Sequence, residues 1–150
     1  MTDLVEKLGD VDRDIVVSDT VKLIDNEVAN KSGVTGLALK GGYKVVKKLK
    51  NGRMIEVAAE GLLDDFASAL NPIYNEFEDD DEASFSRYLA ERSEEAANAL
   101  LSITDSRAER ADNKVLVKTY KKLRPTAKKH VVDALPGVGR LIDTHCPKDV

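Results

Sequence analysis

The sequence predicts an all-α fold, a single compact bundle of about six to eight helices over residues 1–150, and three observations predict it. Apolar residues recur at spacings of three and four along most of the chain, the period of one helix face. No segment shows the alternation and turn chemistry of a strand or hairpin. The composition is 42% hydrophobic with no tryptophan and only 5% aromatic residues, so the core has to be built mainly from Val, Leu, Ile and Ala, which suits helix packing. A chain of 150 residues is long enough for a real core, burying roughly 70% of the surface that the unfolded chain exposes.

Taken in order, Thr2 is placed to cap a short helix that ends at Gly9. A longer helix is expected over residues 13–30, with Val17, Val21, Ile24 and Val28 on one face. Strand competes at residues 15–17, but the sustained period favours helix. Ser32 begins a second long helix. Its expected buried face is Val34, Leu37 or Ala38, Gly41, Val45 and Leu49, and Lys40, Lys44 and Lys47 fall on another face. Interior glycines each cost about 1 kcal/mol against alanine. Close approach of a neighbouring helix at Gly36 and Gly41 would offset that cost; the alternative is a kink at Gly41-Gly42.

Asn51-Gly52 reads as a helix end and turn. The next helix carries Ile55, Ala59, Leu62, Phe66, Leu70 and Ile73, with a restart expected at Asn71-Pro72. Residues 78–82, all acidic, read as a solvated loop whose last acids favour the following helix N-terminus. That helix is expected from Ala83 to Thr104 or Ala111, on a face of Phe85, Leu89, Arg92, Ala96, Leu100 and Ile103. Asp112-Asn113 marks a break. A basic helix covers residues 114–123 and restarts at Arg124-Pro125, with Ala127, Val131 and Ala134 or Leu135 inward. Pro136-Gly137 is read as a second break before a last short helix over residues 138–146. Residues 147–150 are expected to be a loose tail.

Charge is distributed in blocks. Residues 31–53 hold seven Lys or Arg and no acid (+7), together with five of the nine glycines. Residues 1–30 hold eight acids and three bases (−5), residues 54–112 sixteen acids and four bases (−12), and residues 113–140 eight bases and one acid (+7), within a total of −4. Either the blocks neutralise one another across neighbouring helices, or the Lys40/Lys44/Lys47 face and the Lys118/Lys122/Lys129 face lie together and attract an anionic partner. Lysine is a hydrated point charge and a poor bidentate reader, so phosphate binding by these faces would be nonspecific and sensitive to salt.

The lone cysteine, Cys146, excludes an intrachain disulfide and fits a reducing compartment. The first residues lack the basic and apolar regions of a signal peptide, and no apolar run approaches the ~20 residues of a membrane span. A cytoplasmic, soluble protein is the expectation. Residues 79–82 lack the alternate spacing and glycine turn of a calcium loop. His130, His145 and Cys146 lack the spaced partners of a zinc site, and a Cys-His nucleophile pair has no further support. Asp64-Asp65 and Glu94-Glu95 diverge on helices and read as surface. The aromatic side chains fall mostly at core spacings rather than forming a stacking platform. No catalytic residue, metal ligand or cofactor is assigned.

One short motif suggests chemistry: Leu135-Pro136-Gly137-Val138-Gly139, flanked by apolar helical sequence, resembles the turn of helix-hairpin-helix modules. There, glycines let backbone N–H groups approach a DNA phosphate, and Arg140 would supplement Gly137 and Gly139. Three longer stretches, NEVANKSGVTGLALKGGYKVVKKLK, SRYLAERSEEAANALLSITDSRAER and HVVDALPGVGRLIDTHC, together resemble an uncharacterised bacterial family of small all-helical proteins. That resemblance implies one helical domain and no established activity. The function class that emerges is a non-enzymatic helical binding or scaffold domain whose lysine faces meet a protein or anionic partner, with homo-oligomerisation left open. The alternative is a nonspecific nucleic-acid binder using the turn at residues 135–139, and an enzyme is third.

Overall fold

A computed structural model describes residues 3–148, and every regular element in them is helical. α1 (Leu4–Gly9) is capped by Asp3, whose carboxylate accepts the Glu6 N–H at 2.8 Å. The cap expected at Thr2 lies outside the described residues. α2 (Arg13–Ala29) starts from Asp12, which accepts the Asp14 and Ile15 N–H groups. α3 (Gly33–Lys47) follows Ser32, and α4 (Leu49–Gly52) is one irregular turn with Lys50, Asn51 and Gly52 at φ of 53°, 59° and 82°. Three successive left-handed residues reverse the chain into α5 (Met54–Glu78). α6 (Phe85–Glu91), α7 (Ser93–Arg110) and α8 (Lys114–His145) complete the bundle. At 32 residues, α8 is about 48 Å long.

The core sits between α5, α6 and α8. Tyr74, Phe77, Phe85 and Tyr88 form its centre, with the Phe77 and Phe85 rings 5.1 Å apart and Phe85 edge-on to Tyr74 at 5.2 Å. Leu4, Leu89, Leu135 and Ile142 pack around them. α1 is tied across one end: the Leu4 N–H donates to Asn71 Oδ1, and Lys7 Nζ donates to Tyr74 Oη at 2.6 Å, Glu78 at 3.1 Å and the Pro147 carbonyl at 2.8 Å. Lys148 donates to the Glu82 carbonyl at 2.9 Å. Of the four residues expected as a tail, Pro147 and Lys148 make these hydrogen bonds, and Asp149 and Val150 lie outside the described residues.

Three expected breaks are absent. α5 runs through Pro72, whose ring is on the exposed side, and Asn71 spends its side chain on α1 rather than on a restart. α8 runs through both Pro125 and Pro136. A proline in a helix interior forfeits one hydrogen bond and costs about 3 kcal/mol, and packing along this long helix outweighs it. The segment 135–139 is accordingly helix, and the hairpin turn that the nucleic-acid reading needs does not exist. Its glycines serve packing. A Cβ at Gly139 would lie 2.3 Å from Ser86 Cα, and one at Gly137 would lie 2.4 Å from Leu23 Cδ1, so α6 and α2 press directly on the α8 backbone. The Ser86 hydroxyl donates to the Pro136 carbonyl at 2.9 Å across the same approach.

One break occurs where a continuous helix was expected. Arg92 (φ −121°, ψ 33°) separates α6 from α7, and its guanidinium stacks 3.5 Å above the Tyr88 ring. Asp143 of α8 helps fix the short α6: its carboxylate accepts the Phe85 N–H at 2.9 Å and the Ser86 N–H at 3.3 Å.

α3 is turned the other way from the expectation. Gly36 is buried, and Leu39, Gly42, Tyr43 and Val46 are half-buried, while Val34, Leu37, Ala38, Gly41 and Val45 face solvent. The close approach falls at Gly42, where a Cβ would be 2.8 Å from Leu123 Cδ1 of α8; around Gly41 there is open space.

Candidate functional site

Between α2, α3, α5, α7 and α8 lies a cavity of about 310 Å³. Its walls follow from the inward faces of these helices: Leu23, Ile24 and Val28 from α2, Leu39 from α3, Leu63 and Phe66 from α5, Leu100 and Leu101 from α7, and Val131, Val138 and Leu141 from α8. These side chains are aliphatic or aromatic, and α2 approaches the α8 backbone closely where Leu23 meets Gly137.

Six polar side chains also reach the lining, and four of them have partners. Thr20 Oγ1 donates to the Val16 carbonyl at 2.7 Å. Thr104 Oγ1 is 2.6 Å from Tyr120 Oη. His145 Nε2 is 2.8 Å from Asp19 Oδ2, and Lys31 Nζ is 3.1 Å from Asp133 Oδ2. Glu27 of α2 also lines the space.

His130 differs from all of these. Both ring nitrogens are shut off from solvent, and neither has a hydrogen-bond partner among the described residues. Burial pushes the imidazole below its ordinary value of 6.5; the nearby Lys31 and Lys129 charges push the same way, against Asp133. At neutral pH the ring is therefore uncharged, with one N–H donor and one bare nitrogen acceptor. An unmet buried polar group costs about 1–3 kcal/mol. The two nitrogens diverge from the ring, so one ligand hydroxyl can pair with one of them, donating to the bare nitrogen or accepting from the N–H.

The other titratable clusters are structural. Burial raises the Cys146 thiol to about 11, which removes it as a nucleophile at neutral pH. Tyr120 and Arg124 of α8 both bond Asp105 of α7, holding its carboxyl below the usual range; the Arg124 hydrogen bond is the larger cause. Among the described residues no group of three or more His, Cys, Asp or Glu side chains converges as a metal site would.

The lysines singled out by charge are at the surface. Lys44, Lys47, Lys118, Lys122 and Lys129 are exposed and Lys40 is half-buried. Lys47 is bound to Asp25 at 3.2 Å. The helices carrying them are neighbours. α3 runs antiparallel to α8, with Lys31 at Asp133 and Gly42 at Thr119 and Leu123. Neutralisation across helices also occurs, through Arg13–Asp64, Arg107–Asp65 and Lys128–Glu94. Arg140 is exposed on α8.

His130 was visible in the sequence only as a possible partner of Cys146. A sharper signal was present: it stands three residues after Ala127 and four before Ala134, on the apolar side of its helix. The cavity itself has no sequence signal, because aliphatic residues lining a space and aliphatic residues filling a core look alike.

Residues 4–146 match the model of a family described as a family of unknown function (DUF6918). No curated protein and no solved structure matches the chain.

Proposed function

The chain belongs to that family of unknown function, and we propose from the cavity that it is a binding protein for a small apolar molecule carrying one hydroxyl-like group. The observation that carries this reading is His130: an uncharged imidazole whose two buried nitrogens are unmet and whose ring lines a space of about 310 Å³ with a mainly aliphatic and aromatic wall, so that a turn of the ring would present one nitrogen to a ligand. Ligand sites combine an apolar lining with few, well-placed polar groups, and begin at about 300 Å³. A cavity of about 150 Å³ takes up benzene, so this one has room for a molecule about twice that bulk.

1-Naphthol and naphthalene test the reading as a pair, followed by their own fluorescence. The protein should bind both, with naphthol tighter by about five- to tenfold, the worth of one neutral hydrogen bond. His130→Leu should retain naphthalene and lose the preference. Absence of binding by either probe, or a preference that survives His130→Leu, would overturn the assignment.

A further inference from the structure

The outward turn of α3 leaves an apolar face without a partner. Val34, Leu37 and Val45 are 86%, 68% and 46% exposed, and Ala38 and Gly41 lie between them. Residues 34, 37, 38, 41 and 45 make one stripe over three turns of a 15-residue helix. Scattered exposed apolar residues need no explanation, but a continuous stripe does.

Charge says what covers it. On one flank of the stripe stand Lys40, Lys44 and Lys48, with no ion pair among the described residues, and Lys47, tied to Asp25. On the other flank lies α8. Its Thr119 and Leu123 face α3 and its Tyr120 and Arg124 face α7, which leaves Lys118 and Lys122 on the solvent side next to the stripe. Residues 31–53 contain no acid. The surface is thus a strip of hydrocarbon bordered by cations on both sides.

We propose that this face docks the protein on an anionic lipid bilayer, with the Val34–Val45 stripe laid among the acyl chains and the flanking lysines on the phosphates. A helix lying in a membrane interface requires this combination: a modest apolar face, a cationic border and no acid within it. No helix among the described residues is long and apolar enough to cross a membrane, so the contact is at the surface. A nucleic acid would meet the lysines and leave Val34 and Leu37 in water. A second copy meeting stripe to stripe would oppose two acid-free +7 segments. The bilayer satisfies both the apolar and the charged parts, and the bulk of the acidic surface, on residues 54–112, stays out of the contact because like charge repels it.

Co-sedimentation of the full chain with vesicles tests this. The protein should bind vesicles of equal parts phosphatidylcholine and phosphatidylglycerol, release them as salt is raised, and leave pure phosphatidylcholine vesicles unbound. Leu37→Glu should lower the partition at least about tenfold, and the double variant Lys44→Glu/Lys122→Glu should do the same. All three positions are exposed, so an unchanged far-ultraviolet circular dichroism spectrum should accompany the loss. Overturning results are an absence of vesicle binding, equal binding to neutral vesicles, or binding that Leu37→Glu leaves intact. Two others are tighter binding to duplex DNA than to anionic vesicles, and a dimer that Leu37→Glu dissociates. The cavity plays no part in this assay, so its outcome is separate from that of naphthol binding.

Discussion

At Gly139 a single added methyl group would meet the Ser86 backbone at 2.3 Å, and backbone cannot swing aside as a side chain can. At Gly41, also inside a helix, the same methyl group meets nothing within 4 Å. Gly139→Ala should therefore destabilise the protein by about 2–3 kcal/mol through overpacking, while Gly41→Ala should stabilise it by about 1 kcal/mol through helix propensity and a less disordered unfolded chain. Urea unfolding of the two variants gives opposite signs if the approach of α6 to α8 is as close as described. His130 supplies a second residue-scale expectation. Its folded-state pKa lies below the unfolded value of 6.5. Above about pH 6.5 both states hold the ring neutral and its contribution is complete. As pH falls below that value the unfolded chain takes up a proton that the folded protein refuses, so stability declines until the pH passes the lowered folded value. Lys31, Lys129 and Asp133 are the charges that act on the ring, and that of Asp133 limits the shift. Between about pH 7 and pH 5 the wild type should lose more stability than His130→Gln, which has no proton to take up; equal slopes would show that the ring is not held neutral.

At the scale of elements, the sequence period located the helices and inner-face residues such as Ala59, Leu70, Ile73, Phe85, Leu89, Ala96 and Leu135, but it turned α3 the wrong way. The all-helical class, the ends near Gly9, Asn30 and Asn113, and the turn at Asn51-Gly52 all follow from caps and glycines that act within a few residues. The prolines misled because their cost, about 3 kcal/mol, is local, whereas what outweighs it in α8 is contact with α2, α3, α6 and α7, none of which a single segment reveals. α3 misled for a different reason. It has apolar residues all round, Val34, Leu37 and Val45 on one side and Leu39, Tyr43 and Val46 on the other, so periodicity alone offered two candidate inner faces. The lysines border the outward one, and that asymmetry is what the docking surface is built on. The split at Arg92 also depends on a distant residue, since α6 is held at its start by Asp143 of α8. Asp143→Ala should cost about 1–2 kcal/mol as a lost N-terminal cap, and amide exchange should quicken first in residues 85–91; uniform quickening through α7 would mean that α6 and α7 behave as one helix.

For the whole molecule, the blocks of charge and the cavity divide the fold into two unlike halves. Where α5, α7 and α8 meet, acids and bases pair across helices, as in Arg107–Asp65, Arg124–Asp105 and Lys128–Glu94. Where α2 and α3 cover α8, the helices leave a half-open space of about 310 Å³. A bound apolar molecule would add contacts across this space, and so would a larger side chain. Ala134 of α8 lines the space. Ala134→Leu adds three carbons to it, and cavity filling of this kind stabilises by about 0.5–2 kcal/mol. The same change should weaken naphthol binding by at least about tenfold, because ligand and side chain compete for one volume. The two readouts have to move in opposite directions, a rise in the urea midpoint and a fall in affinity. A variant that is less stable would show that the space is too tight to accept three carbons, and one that binds naphthol as well as the wild type would place the ligand elsewhere.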